Sequence, residues 1–479
     1  MNLQIVTLLR LLAAIGMAGY VCSAHAETQV GSAPYRASAT GAGNSHSPVF
    51  SADGRHVAFV SRANNLVTND DLAPHLDLFV RDLVTSNTVL VSVSTNGIGG
   101  GNDNVGLYTL SSNAQVIVFD TAANNLATGD TNRVSDIYVR DLLAGTTRLV
   151  SVNADGTGSG NGPSSNPLIS EDGRYVIFES LASNLVTNDF NGTNDIFICD
   201  LLTGITTLVT VNADGTTSPD GPSHSPSISA DGLTVAFVSH ATNLVAGVTN
   251  RFGEVYARSI GAGSNRWAKA SHLAATHEGL SNNGTYRAFQ PQVSSDGRFV
   301  AFKTLGQVVR FDLGRSPNYI FRSFTNQTQQ GARIDYFRFD DNPRLGTTTD
   351  AAPLAFTHDG RYLIFGARYG VGIPQVAWVD FEDLTTNILT SLPYGVYFET
   401  NVTPRLVTLF TNLTANVQGS DWTQMPWLAV VGAGDRFFFL ADPLVDRFGG
   451  GPNRWFQLFS FTWRQGLFEL RLEVIGNSA

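Results

Sequence analysis

The chain has 479 residues, with 30 Lys and Arg against 40 Asp and Glu, and a formal net charge of −10 at pH 7. Its basic residues are nearly all arginine, Lys269 and Lys303 being the lysines. An acidic chain without basic runs is a poor partner for nucleic acid, whose binding rests on Lys and Arg contacts to phosphate, and for anionic lipid.

Residues 1–26 read as a cleaved secretory leader. Arg10 precedes the apolar run Leu11–Cys22, and Ala24-His25-Ala26 follows. A positive charge, a short apolar core and an Ala-x-Ala site are the parts of a signal peptide. The run is shorter than the roughly 20 residues that span a bilayer. Cleavage before Glu27 and export to the periplasm or medium are expected, without membrane insertion. Cys199 is then the one cysteine left, and it reads as an inert, semi-buried thiol.

A block then repeats along the chain. Its landmark is Asp-Gly, at Asp53, Asp172, Asp231, Asp296 and Asp359, with Asn113 in its place in the second copy, so landmarks fall 59 to 65 residues apart. A second landmark is Asp-Leu-Phe-Val-Arg-Asp-Leu from Asp77, Asp-Ile-Tyr-Val-Arg-Asp-Leu from Asp136, Asp-Ile-Phe-Ile-Cys-Asp-Leu from Asp195 and the weaker Glu-Val-Tyr-Ala-Arg-Ser-Ile from Glu254. A fixed period in this range marks a propeller, solenoid or array. Within the third copy, four β-rich runs stand near 167–170, 174–179, 195–201 and 206–211. Asp172-Gly173 and Thr203-Gly204 predict tight hairpins of type I′, in which Gly supplies the positive φ. Pro48, Pro167, Pro226 and Pro291 precede their Asp by five residues, at a strand's first residue, where no ladder hydrogen bond is lost.

Four antiparallel strands per copy predict an all-β fold, a β-propeller of seven four-stranded blades, with six as the alternative count. The modules lie near 47–106, 107–166, 167–225, 226–290, 291–352, 353–425 and 426–479. They make one domain over 27–479, well matched at 47–260 and diverged at 261–479. Tyr35-Arg-Ala-Ser-Ala-Thr40 reads as an N-terminal strand donated to the last blade, closing the ring. Because successive strands alternate in direction, the turns after strands one and three share one face. The long loops, such as 181–194 and 212–223, share the other. Binding residues concentrate on long loops held by a rigid scaffold, so the long-loop face is the expected working face.

Ser51-Ala-Asp-Gly-Arg-His-Val-Ala-Phe-Val-Ser61 and Ser229-Ala-Asp-Gly-Leu-Thr-Val-Ala-Phe-Val-Ser239, each followed by the Asp-Ile-Phe-Val-Arg-Asp-Leu-like strand, resemble the WD40-like (PD40) repeats of the TolB-like β-propeller family. The resemblance covers 47–260 and continues as isolated Asp-Gly-Arg elements at 296 and 359. It implies a periplasmic scaffold that binds other envelope proteins. The repeat is longer than the roughly 40–45 residues usual for such blades.

The loops between second and third strands hold the candidate chemistry: Asp70, Asp71 and Asp77 in the first copy, Asp130, Asn132 and Asp136 in the second, and Asp189, Asn191, Gly192 and Asp195 in the third. The fourth copy, with Val248, Asn250 and Glu254, has lost the pattern. Alternating oxygen side chains resemble part of a calcium loop, which needs six to eight oxygen ligands. Asn and Asp equally build turns on their own backbone. Calcium is the ion these loops could take, and no cofactor is required. His46 and His224 lie in matching Ser-His-Ser-Pro segments near the expected channel and read as repeat-consensus polar residues. All six tryptophans follow residue 260, as packing of diverged blades or as an aromatic platform. There is no Gly-x-Ser-x-Gly elbow, so a hydrolase of that class is not expected.

The expected protein is an exported, monomeric, non-enzymatic propeller that binds a protein or glycan partner through its long-loop face. The alternative is an enzyme acting on an extracellular polymer at the channel mouth, marked by convergent carboxylates and histidines with shifted pKa values.

Overall fold

The computed structural model describes residues 45–70, 73–245 and 253–260, and beyond them mainly strands between 266 and 473. The expected leader at 1–26, the closing strand at 35–40, Asp71, Val248 and Asn250 lie outside the described residues, as do the side chains of His46 and the six tryptophans.

The first four copies fold as one antiparallel meander each. The first has β1 (Ser45–Phe50), β2 (His56–Ser61), β3 (Asp77–Asp82) and β4 (Thr88–Leu90). The second has β5 (Val105–Leu110), β6 (Val116–Thr121), β7 (Asp136–Asp141) and β8 (Thr146–Leu149). The third has β9 (Ser164–Ile169), β10 (Tyr175–Ser180), β11 (Asp195–Asp200) and β12 (Ile205–Leu208). The fourth has β13 (Ser223–Ile228), β14 (Thr234–Ser239), β15 (Glu254–Ser259) and β16 (Arg266–Lys269). In each sheet the strands lie in chain order.

A fifth sheet opens with β17 (Phe289–Val293), β18 (Phe299–Lys303) and β19 (Gln307–Asp312). It departs from the expected four strands: Ala332–Arg338 pairs with β19, and Tyr319–Ser323 runs parallel to it on the far side. Two further sheets follow, so the described residues form seven in all. Their first strands pack side by side in sequence, β1 against β5, β5 against β9, β9 against β13 and β13 against β17, as the inner strands of propeller blades do. No helix among the described residues is long and apolar enough to cross a membrane.

The Asp-Gly turns form, but not as type I′. Of the pair in the third copy only Gly173 has positive φ, 78°, and its N–H donates to Ser170 O at 2.9 Å. Type I′ requires positive φ at both central residues. Here Glu171 and Asp172 make the turn, and Gly173 takes the left-handed place after it. The Ser170 hydroxyl holds the shape, donating to Asp172 Oδ1 at 2.5 Å and accepting the Tyr175 N–H at 2.9 Å. Ser51, Ser111, Ser229 and Ser294 repeat this device. In the second copy Ala114 occupies the glycine's place, at φ 55°.

The core lies between sheets. Val118, Ile137 and Val139 of one share a cluster with Ile169, Val176 and Phe178 of the next. Each of the first four copies also stacks a ring of its second strand on one of its third: Phe59–Phe79, Phe119–Tyr138, Phe178–Phe197 and Phe237–Tyr256, with centroids 5.8–6.0 Å apart. Such pairs add about 0.5–1.5 kcal/mol beyond the area they bury. Arg55–Asp82, Arg174–Asp200 and Arg298–Asp312 bridges, at 2.7, 2.8 and 2.9 Å, join the Asp-Gly-Arg turn to the end of the third strand. They tie the two landmarks together in the first, third and fifth copies. In each, a half-exposed arginine reaches a carboxylate that is largely covered, and solvent screening at the arginine keeps the contribution to stability small. Cys199 is buried and free, and burial pushes its thiol pKa up.

Candidate functional site

The first strands of the first five sheets are bulged at their long-loop ends. Pairing shifts register between His46 and Val49, Val105 and Tyr108, His224 and Ser227, and Phe289 and Gln292. For β9 the break falls opposite Ile177 and Glu179. Where the repeat proline is present, the residue before it carries the distortion: Ser47, Asn166 and Ser225 stand at φ 55° and Gln290 at 50°. Left-handed backbone costs an L-residue about 1–2 kcal/mol, and a bulge turns its N–H groups out of the ladder. Those groups need acceptors.

Asp120 and Glu179 supply them. Both occupy the position of their second strands where Val60 and Val238 stand in other copies. Asp120 Oδ1 accepts the Leu107 N–H of its own sheet at 2.7 Å, and Oδ2 accepts the Asn166 N–H of the next sheet at 3.2 Å. Glu179 Oε1 accepts Asn166 Nδ2 of its own sheet and the Ser225 N–H of the next, both at 2.8 Å. Its Oε2 accepts Asn194 Nδ2 at 2.8 Å. Each carboxylate thus ties two neighbouring inner strands. Burial raises the Asp120 pKa to about 6, against the pull of its two N–H donors. In the fifth sheet the same position is Lys303, fully buried, with Nζ donating to Gln290 Oε1 at 3.2 Å.

In the fourth sheet two histidines stand at this end. His224 on β13 and His240 just beyond β14 face each other with 3.4 Å between their Nε2 atoms. His224 Nδ1 lies 2.9 Å from Ser225 Oγ. Burial lowers the His224 pKa, opposed by the charge of Glu179 and aided by His240. Sequence reasoning singled out His224 but missed His240, Asp120 and Glu179. The readable signal was a charged residue at a position the repeat otherwise fills with Val.

The loop residues expected from the sequence do come together, and most of their polar atoms face groups of the chain itself. Asp136 and Asp195 begin their third strands fully buried. Each accepts a hydroxyl on Oδ1, from Ser151 at 2.5 Å and from Thr210 at 2.7 Å, just as Asp77 accepts Ser92 at 2.7 Å. Asn132 and Asn191 form Asx-turns, accepting the N–H of Val134 at 2.9 Å and of Thr193 at 2.8 Å. Asn132 Nδ2 donates to Gly160 O at 2.8 Å, and Asn191 Nδ2 to Asp195 Oδ2 at 2.7 Å. Asp130 accepts the Tyr138 hydroxyl. Asp136 Oδ2 and Asp189 Oδ1 are buried without a hydrogen-bond partner. Burial raises the pKa of Asp136 and Asp195 to about 7, and the charges of Asp130 and Asp189 push the same way. Among the described residues, no group of three or more His, Cys, Asp or Glu is placed to hold a metal ion.

No family model and no curated protein matches the chain. Solved structures do. A prolyl endopeptidase is similar at 12% identity and TM-score 0.49, over 91% of this chain and 50% of the other, so the chain spans about half that protein's length. A protein assigned as TolB from Agrobacterium tumefaciens is similar at 14% identity and TM-score 0.34, over 73% of this chain and 82% of the other. The β-propeller domain of the Trilobed protease from Pyrococcus furiosus is similar at 12% identity and TM-score 0.46, over 89% of this chain and 97% of that domain. At these identities the likeness concerns the fold and carries no activity across.

Proposed function

We propose that this chain is an exported, monomeric, non-enzymatic β-propeller of seven blades that binds a protein or glycan partner through its long-loop face. The blade count is supported by the seven sheets, and ring closure by the contact of Leu428–Val431, the first strand of the last sheet, with β1. Export rests on Arg10, the apolar run and Ala24-His25-Ala26. A periplasmic or secreted product beginning at Glu27 is the expected form.

The observation that carries the binding reading is the engagement of the carboxylates on this face. Acid–base catalysis needs a carboxyl group within hydrogen-bond reach of the substrate, whereas Asp120 and Glu179 are turned to the backbone and Asn donors of adjoining blades. The long loop between β10 and β11 instead offers Phe190, 72% exposed, and Leu181, 48% exposed. Aromatic side chains of this kind anchor interfaces. The second reading, an enzyme acting on an extracellular polymer, draws on Asp120, whose pKa of about 6 suits a general acid.

Cross-linking capture of envelope proteins and glycans tests the first reading. The two variants to compare are Phe190→Glu on the long-loop face and Leu143→Glu in the opposite turn between β7 and β8, where Leu143 is 83% exposed. Binding is expected to fall with Phe190→Glu alone. Equal loss in both variants, or turnover of a polysaccharide that Asp120→Asn abolishes, overturns it.

A further inference from the structure

β13 and β14 pair with His224 opposite Val238 and Ser223 opposite Ser239. His240, the next residue, therefore leaves the sheet at the end where His224 enters it. The rings meet by their Nε2 corners, 3.4 Å apart, while their centroids stay 5.5 Å apart. Two imidazole nitrogens bound tetrahedrally to one zinc-like ion, each at about 2.0–2.1 Å, stand roughly 3.3–3.4 Å from one another. Without an ion the same spacing is a long N–H···N contact between the two rings.

The surroundings suit a ligand pair. A proton on His224 Nδ1, donated to Ser225 Oγ at 2.9 Å, leaves Nε2 with a bare lone pair. Metal-ligating histidines commonly donate their other ring N–H in this way. Gly253 leaves the room: a Cβ there would lie 3.1 Å from His240 Cε1 and 3.3 Å from its Nε2.

We infer that His224 and His240 form a two-imidazole site for a divalent transition-metal ion, its remaining positions filled by water or by a donor from a bound partner. Imidazole favours zinc, copper, nickel or iron over calcium and magnesium. A site with open positions is one at which an incoming ligand can bind the ion directly. The inference rests on the geometry of the pair and does not depend on the long-loop face having a partner.

Titration of the exported chain with Co²⁺, a coloured stand-in for zinc, followed by visible absorption and by thermal unfolding, tests it. One saturable site per chain is expected, lost in His224→Ala and in His240→Ala and kept in His75→Ala. No saturable binding, or binding that survives either substitution, overturns the proposal. Should an alanine variant fail to fold, zinc-induced shifts of the imidazole NMR resonances of His224 and His240 in the unmodified chain decide the matter. Absence of such shifts overturns it equally.

Discussion

The Tyr138 hydroxyl donates to the Asp130 carboxylate, and where Phe197 takes the tyrosine's place in the next repeat, the matching Asp189 Oδ1 is left buried without a partner. In the fourth repeat the loss is reversed. Tyr256 keeps a buried hydroxyl with no hydrogen bond, and the sequence places Val248 where the aspartate stood. Hydroxyl and carboxylate are one unit whose halves have been lost separately.

Phe197→Tyr is expected to restore the unit in the third repeat and stabilise the fold by about 1 kcal/mol, the net worth of a hydrogen bond. Tyr138→Phe is expected to cost about 1–3 kcal/mol, because it strands a buried acceptor. Denaturant midpoints of the two variants check both signs. A destabilised Phe197→Tyr would mean that the buried ring has no room for the oxygen.

The turn glycines make a paired prediction. Gly173→Ala places a Cβ at φ 78°, 3.2 Å from Val116 Cγ2, and is expected to cost about 1–2 kcal/mol. Ala114→Gly relieves the same backbone strain at φ 55°. It gives up a buried methyl worth about 0.8 kcal/mol, so a smaller net gain is expected. Calorimetric melting temperatures should move in opposite directions; movement in the same direction would refute the shared turn geometry.

Stability should also depend on pH through Asp136 and Asp195. Their folded-state pKa values of about 7 lie above the ordinary 3.8. The folded chain therefore holds protons that the unfolded chain releases. The stabilisation is complete below about pH 4 and is lost as pH rises through about 7. Asp136→Asn, which cannot ionise and keeps an acceptor for Ser151, is expected to flatten this slope and to be the more stable form at pH 8. Urea midpoints at pH 5 and pH 8 decide it, and an unchanged slope counts against the assignment.

Calcium offers a fourth test. In the Asp189–Asp195 loop an ion would have to displace the Asn191 amide and the Thr210 hydroxyl from Asp195. Excess calcium and chelator are therefore expected to leave the melting temperature unchanged. A ligand present at 100 times its Kd adds about 2.7 kcal/mol, so a real site would be visible. A saturable rise that Asp195→Asn removes would assign these loops to the metal.

Local order was legible in the sequence and contacts between blades were not. Asp-Gly and the third-strand landmark announced hairpins and the meander because both depend on near neighbours. The turn type was misread because the pair Asp172-Gly173 does not reveal that the turn is made one residue earlier, by Glu171 and Asp172. Asp120 binds N–H groups 13 and 46 residues away, and His240 meets a partner 16 residues back. Their roles emerge only when β-strand register is known. What could have been read was the exception itself: Asp120, Glu179 and Lys303 stand where the repeat elsewhere has Val60 and Val238.

Cys199 stands where Arg81 and Arg140 stand in the preceding repeats, buried within an intact third sheet. Among the described residues it is the sole sulfhydryl. A thiol reagent can reach it only when that sheet opens, and local openings of this kind span the range from fraying to global unfolding. Each modification event is then a time stamp, and the protein carries a clock for its own breathing that mass spectrometry can read without a cysteine being engineered in.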